Sequence, residues 1–242
     1  MRVLVISDIH GNLPALEAVL QDSGPIDAAW CLGDLVGYGP NPNECIERVR
    51  SLPNSICVLG NHDAAALGQI DLQTFNREAR FSARWTQDHL TPDSLEFLRN
   101  LNELVEFGDV TLTHGSPRNP VWEYLLDTNT ATVNFEYFNT QICMVGHTHL
   151  PITYYEMNGN HVTEWKILKV GEPTKITGRA IINPGSVGQP RDHDPRAAYG
   201  IYDTVEKIWE GRRLGYDVGE VQKQIYAAGL PSRHAIRLGE GW

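Results

Sequence analysis

Seven side chains able to bind a metal ion stand at five places in the chain: Asp8 with His10, Asp34, Asn61, His114, and His147 with His149. Glycines accompany them, in Gly33-Asp34, Gly60-Asn61-His62-Asp63, His114-Gly115 and Gly146-His147-Thr148-His149. In extended chain, residues two apart point to one side, so Asp8 converges with His10 and His147 with His149. A structural zinc site is satisfied by about four side chains, and seven candidates are too many for one ion. Two ions sharing one carboxylate would use them all, with Asp34 as the shared residue. Ions ~3.5–4 Å apart suit phosphoryl hydrolysis. Against two aspartates, two divalent cations leave a local charge of about +2, lowered to about +1 by a bridging hydroxide, which attracts a phosphate ester. Imidazole, carboxylate and amide ligands together suit manganese, iron or zinc better than calcium.

These residues need a frame that brings them to one place, and the hydrophobic pattern supplies it. A first strand, Arg2 to Ser7, runs into Asp8 and His10. Asn12 then caps a helix that carries Pro14 in its first turn and Leu13, Leu16, Val19 and Leu20 on one face. A second strand, Ala28 to Leu32, ends at Gly33-Asp34 and precedes a helix from Asn43 to Val49. A third, Ile56 to Leu59, ends at Gly60-Asn61-His62-Asp63, where glycine permits a tight turn. Three successive βα units predict parallel strands whose carboxyl ends share one edge, the usual ligand edge of open α/β sheets. Leu72 to Asn100 reads as packing helix, with Phe75, Ala79, Ser82 and Trp85 facing inward and Thr91-Pro92 breaking it. A hairpin follows, Leu104 to Phe107 and Val110 to Thr113 around Gly108-Asp109, and leads to His114. Ser116 to Thr140 has no clear strand, and we expect it to be partly helical and to cover the site. A strand from Ile142 to Val145 delivers His147 and His149. From Pro151 to Leu214 the pattern is mostly β: Ile152 to Glu156, His161 to Ile167, Arg179 to Asn183, Ala198 to Tyr202 and Lys207 to Arg213, with Lys169 to Lys175 as a loop. Asp217 caps a last helix, Val218 to Ala228, which Gly229 and Pro231 end.

The composition suits a folded domain: 242 residues, 41% hydrophobic and 21% charged. With no linker, repeat or low-complexity tract in view, residues 1–242 read as a single domain. No apolar run approaches the ~20 residues of a membrane span. The amino terminus lacks the pattern of a signal peptide, so the expectation is a cytoplasmic protein without a membrane partner. A formal net charge of −10 disfavours a long nucleic-acid partner. Cys31, Cys45, Cys57 and Cys143 are widely spaced and read as buried free thiols.

Taken in order, Asp8-x-His10, Gly33-Asp34, Gly60-Asn61-His62-Asp63, His114-Gly115 and Gly146-His147-Thr148-His149 resemble the calcineurin-like metallophosphoesterase superfamily. Asn183-Pro184-Gly185-Ser186-Val187-Gly188-Gln189-Pro190-Arg191 extends the likeness toward its small bacterial and archaeal phosphodiesterases. The resemblance implies an α/β (α+β) fold, a four-layer αββα sandwich of two mixed β-sheets flanked by helices. It implies one ion on Asp8, His10, Asp34 and His149 and a second on Asp34, Asn61, His114 and His147. His62 would lie beside the leaving group as general acid or electrostatic stabiliser, while a metal-bridging hydroxide attacks phosphorus in line. The catalytic residues it implies are therefore His62 and Asp34.

The departures from that pattern bear on substrate. Phosphoprotein phosphatases of the superfamily carry Asp and Arg where this chain has Gly37 and Tyr38. Without that arginine to clamp a phosphomonoester dianion, a small phosphodiester or nucleotide is the favoured substrate. Dinucleoside polyphosphate hydrolysis and phosphomonoesterase activity are the alternatives within the same chemistry. A non-catalytic scaffold that binds a protein partner is the alternative outside it, and the complete ligand set with His62 argues against that. Candidate substrate contacts are Arg191, where Gly185 and Gly188 allow close backbone approach, and Trp122 and Tyr124, whose rings could stack a base. Asp63 reads as a brace for the Asn61-His62 turn. His89, His161, His193 and His234 belong to no motif and are expected at the surface.

Overall fold

In the computed structural model, which describes residues 1–157 and 162–242, the chain forms two six-stranded sheets packed face to face between helices. The first half runs β1 Arg2–Ile6, α1 Leu13–Ser23, β2 Ala28–Cys31, α2 Pro42–Arg50, β3 Ile56–Cys57, α3 Asn61–Ala66, α4 Arg77–His89, α5 Pro92–Arg99, β4 Leu104–Phe107 and β5 Val110–Thr113. The second continues with α6 Thr128–Asn134, β6 Ile142–Met144, β7 Ile152–Met157, β8 Val162–Lys166, β9 Thr174–Lys175, β10 Ala180–Asn183, β11 Ala197–Asp203, β12 Ile208–Leu214, α7 Val218–Ala227 and α8 Ser232–Glu240.

Strand order in the first sheet is β3-β2-β1-β11-β12-β9 and in the second β4-β5-β6-β10-β7-β8. Each sheet is mixed and contains a parallel trio, at one side of the first sheet and in the middle of the second: β1 pairs parallel with β2 and β2 with β3, while β6 pairs parallel with both β5 and β10. The loops after these six strands carry every candidate ligand and the Asn183–Arg191 segment, so two parallel trios deliver the site where their carboxyl ends meet.

The period-two alternation of each strand explains the layering. Val3 and Val5 of β1 point into the space between the sheets, where Trp30, Leu112, Met144, Ile182 and Tyr202 meet them. Leu4 and Ile6 point outward onto Leu16 and Val19 of α1, Ile46 of α2 and Leu98 of α5. In the second sheet Cys143 and Ile181 face outward to Leu125, Phe135 and Phe138. Three apolar layers thus hold four layers of structure together. Capping matches the local sequence: Asn12 accepts from the Ala15 amide at 3.2 Å, Thr91 from Ser94 at 3.2 Å with Pro92 following, and Asp217 from Glu220 at 2.9 Å.

Some expectations change. The Leu72 to Asn100 stretch begins with a 3₁₀ turn at Leu72–Thr74, and its first regular helix starts at Arg77, capped by Asn76. Lys169 to Lys175 is not wholly loop, because Thr174 and Lys175 form an edge strand on β12. The helix after Asp217 ends before Gly229 as expected but is not the last: α8 follows Pro231, packing Ala235 and Leu238 against Val221 and Ile225 of α7. Nine residues make a short amphipathic repeat, and its partner helix stabilises it. Cys57 is partly exposed, unlike the buried Cys31, Cys45 and Cys143, and all four are free thiols. His161 lies outside the described residues. Among the described residues, no helix is long and apolar enough to cross a membrane.

Candidate metal centre

The five ligand-bearing loops converge, and their donor atoms meet in two groups. In one, His149 Nε2 lies 3.2 Å from Asp8 Oδ1 and 3.2 Å from His10 Nε2. In the other, His114 Nε2 lies 3.0 Å from Asn61 Oδ1 and 3.1 Å from His147 Nδ1. Asp34 stands between them, with Oδ2 3.7 Å from His10 Nε2 and 3.4 Å from His114 Nε2. All seven side chains are buried. Ligands around a tetrahedral ion at the usual bond lengths are separated by distances of this order.

The surroundings fix which atoms face inward. His10, His114 and His149 each set Nδ1 against a backbone carbonyl, of Val36, Leu32 and Gln189 respectively, which turns Nε2 toward the centre as a lone-pair donor. Asp8 Oδ2 accepts from Ser7 Oγ at 2.6 Å and from the His147 amide at 3.2 Å. Asp34 Oδ1 accepts from the His62 amide at 2.8 Å. The other oxygens, Asp8 Oδ1 and Asp34 Oδ2, are buried with no hydrogen-bond partner. Burying a carboxylate oxygen without a partner costs several kcal/mol. Cations at the two groups would offset that cost, and this donor set fits divalent ions.

The ionisable groups are correspondingly displaced. Burial pushes Asp8 up to about 7, against the pull of His114 and with the push of Asp34. Burial opposes charge on His114, yet the Asp34 carboxylate outweighs it and raises the imidazole to about 9. Burial lowers His147 to about 2 and drives His10 and His149 well below the usual histidine range. Opposed by its burial, Asp34 is still held well below the carboxylate range by His114 and His62.

Backbone conformation at the centre is unusual. Asp8, His10, Asp34, His147 and His149 all have left-handed φ, between 51° and 64°. Such non-glycine residues cluster at functional sites, at a cost of order 1–3 kcal/mol each. The β10–β11 loop braces these turns. Ser186 Oγ donates to the Asp8 carbonyl and Asn183 Nδ2 to that of Gly146, while the Gly188 amide donates to Asp8 at 3.0 Å. At Gly188 a Cβ would stand 1.7 Å from the Ile9 carbonyl oxygen, so only glycine fits there.

His62 sits beside the centre with its ring 4.9 Å from that of His10 and 4.4 Å from that of Tyr38, its Nδ1 buried without a partner. Burial lowers its pKa to about 4, and Arg191 acts in the same direction. Asp63 accepts from the amides of Asp34, Val36 and Gly60, tying α3 to the loop after β2.

A cavity of about 320 Å³ opens above this floor, and Trp122, Tyr124 and Arg191 line it. Tyr124 stacks on His147 at 3.8 Å, and Trp122 lies 6.0 Å from Phe75. Four contributors escaped the sequence reading. Phe75 and Asn76, from a stretch read as packing, form cavity wall. Arg237 enters from α8. His234, expected at the surface, is buried, with Nε2 2.6 Å from Ser82 Oγ and its ring 4.9 Å from that of Tyr38. His89 and His193 are exposed. Helical spacing of Leu230, His234, Ala235 and Leu238 was the available signal for α8.

Two buried donor groups at the joined ends of two mixed sheets define a metal-binding hydrolase site of the phosphoesterase kind. The chain belongs to the calcineurin-like phosphoesterase superfamily, matching its domain over residues 1–207. It is 45% identical to a metallophosphoesterase from Sphaerobacter thermophilus, with a TM-score of 0.92 over 100% of this chain and 99% of that one. An uncharacterised protein of Methanocaldococcus jannaschii is 39% identical over 98% of this chain and 96% of its own length. The phosphodiesterase YfcE of Escherichia coli K12 is 27% identical over 84% of this chain and 88% of its own. The chain is a metallophosphoesterase, a phosphoric ester hydrolase with the expected α/β sandwich.

Proposed function

We propose that this enzyme hydrolyses a small phosphodiester or nucleotide at a dinuclear centre. The observation that carries the reading is Asp34 Oδ2, buried without a hydrogen bond between two groups of imidazoles. Asp8, His10, Asp34 and His149 would hold one divalent ion, and Asp34, Asn61, His114 and His147 the other. Bound there, manganese, iron or zinc would lower the pKa of water and draw the phosphoryl oxygens. His62 is held neutral by burial, so its part is to donate an N–H to the leaving oxygen as a neutral imidazole. Trp122 and Tyr124 offer ring faces to a base, and Arg191 a cation to phosphoryl oxygen. Residues 1–242 act as one unit in this reading, since α8, beyond the matched 1–207, supplies cavity wall. The absence of an arginine at position 38 and the name of YfcE both favour diesters.

A panel assay tests the proposal: an aryl phosphodiester, an aryl phosphomonoester and a dinucleoside tetraphosphate, each with metal-free protein and with added manganese. Turnover of the diester that chelation abolishes and manganese restores is the expected result. A clear preference for the monoester would overturn the diester assignment, and full activity in protein shown metal-free by elemental analysis would overturn the dinuclear one.

A further inference from the structure

His62 is held in a hollow of rings and bare backbone. In the loop after β2, Gly37 and Tyr38 turn with left-handed φ of 87° and 61° and lie against the imidazole. A Cβ on residue 37 would stand 2.6 Å from His62 Nδ1 and 3.0 Å from its Cγ, so that edge of the ring rests on the Cα of a glycine. Tyr38 flanks the ring with centroids 4.4 Å apart, while Phe75 and His10 each meet it edge-to-face at 4.9 Å. Tyr38 is itself buried and is backed by His234 of α8, with 4.9 Å between ring centres. Packing thus sets the plane of the imidazole.

Hydrogen bonding does not set it from the Nδ1 side, because Nδ1 is buried with no partner. The carboxylates of this corner are engaged with backbone: Asp63 accepts from the amides of Asp34, Val36 and Gly60, and Asp34 Oδ1 from the His62 amide. A neutral imidazole carries one N–H and one lone pair, and the partner of one nitrogen decides which nitrogen holds the proton. A proton on Nδ1 would be a buried donor facing carbon, and orphaned buried N–H groups are rarer than unsatisfied acceptors. A proton on Nε2 meets no such difficulty. The tip of the ring is left to the cavity that His62 helps to line, where water or a substrate oxygen accepts that N–H. The hollow therefore favours one tautomer, with the lone pair against Gly37 and the N–H toward the cavity. A carboxylate at the same edge would do the reverse, accepting from Nδ1 and turning the lone pair of a neutral ring outward.

We infer that Gly37, Tyr38 and Phe75 are positioning residues for the reaction, which select the Nε2–H tautomer of His62 and hold that N–H at the angle from which it donates to the leaving oxygen. The inference rests on the leaving-group role given to His62 above and names what holds it there. With no hydrogen bond at Nδ1 to stop the ring turning about its Cβ–Cγ bond, aromatic packing has to stop it. A smaller side chain at position 38 or 75 would let it turn.

Kinetics of the manganese-loaded protein test the positioning. On a phosphodiester with an alkyl leaving group, Tyr38→Leu and Phe75→Leu should each lose at least about tenfold, in kcat rather than KM and with metal content unchanged. On a nitrophenolate ester the loss should be smaller. Tyr38→Phe, which keeps the ring, should recover most of it. In a His62→Ala background Tyr38→Leu should cost little more, because both changes remove the same interaction. Nitrogen NMR of zinc-loaded protein with labelled histidine reads the tautomer without turnover, the His62 signals being those lost in His62→Ala. Wild type should show a protonated Nε2 and an unprotonated Nδ1, and Tyr38→Leu a mixture of both tautomers. A proton on Nδ1 in wild type would overturn the tautomer assignment. Leucine variants that match wild type, or that lose as much without His62 as with it, would overturn the positioning. Failure of wild type to cleave either ester would overturn the hydrolase reading alone, since the nitrogen signals would still decide whether Tyr38 sets the tautomer. If Tyr38→Leu does not fold, Phe75→Leu decides by the same measurements.

Discussion

At the scale of single residues, the site balances two buried carboxylates against imidazoles whose lone pairs face inward. In metal-free protein, protons would hold part of that balance. Asp8, raised to about 7, and His114, raised to about 9, both bind protons that a cation has to displace. Metal affinity should therefore rise with pH from below about 7 up to about 9, and metal uptake in weakly buffered solution should release protons. Calorimetry in buffers of different ionisation enthalpy checks both, and pH-independent affinity across that range would contradict the assignment. Asp34→Asn should cost more metal and more activity than any other ligand change, because it weakens both groups. Elemental analysis of the purified ligand variants ranks them. His62→Ala should keep its metal yet lose on the order of 10²–10⁴-fold in rate on an ester with a poor leaving group. On a nitrophenolate ester the loss should be smaller, since that oxygen needs less help. Metal loss in this variant would show that His62 is a ligand instead.

At the scale of elements, the ligand turns are strained and the β10–β11 loop holds them. Gly188→Ala would press a Cβ onto the Ile9 carbonyl, so the loop must withdraw and take the amide that serves Asp8 with it. We expect a loss of about 1–3 kcal/mol in unfolding free energy together with weaker metal binding. Unfolding curves with and without manganese separate the two effects. Helix α8 depends on a buried neutral histidine. Burial lowers His234 to about 4, so as pH falls from about 6.5 the unfolded chain takes up this proton first and the native state loses stability until about pH 4. His234→Asn keeps a polar partner for Ser82 without titrating. The stability advantage of wild type over this variant should be largest above pH 6.5 and shrink by up to about 3 kcal/mol by pH 4. Urea unfolding at the two pH values measures it.

At the scale of the whole molecule, two sheets, each with its own parallel trio, meet at one edge and a C-terminal helix pair closes the cleft from the side. Ions held as proposed would bridge loops of both sheets and tie the halves of the sandwich together. Metal should therefore raise global stability, by about 2.7 kcal/mol at a free concentration one hundred times its dissociation constant. Thermal melts across a manganese titration should move continuously upward, and a melting temperature indifferent to chelation would refute such bridging.

The sequence by itself determined the strand ends and the residues placed on them. Short β-branched runs stopping at glycine, the i, i+2 pairs Asp8/His10 and His147/His149, and caps such as Asn12 and Asp217 are local features, and local sterics and hydrogen bonding decide them. Nearly every strand was legible for that reason, whereas the two-sheet sandwich was expected only through the family resemblance. Only the tertiary structure decided what lies across space. Tyr124 on His147, Phe75 beside His62, His234 against Ser82 and Arg237 over the centre join residues far apart in the chain. No periodicity encodes such pairings, because they arise when separate elements pack. The left-handed turns at Asp8, His10, Asp34, His147 and His149 belong to the same category. Aspartate and histidine do not demand that conformation. The surrounding loops impose it, and the packed sandwich meets its cost.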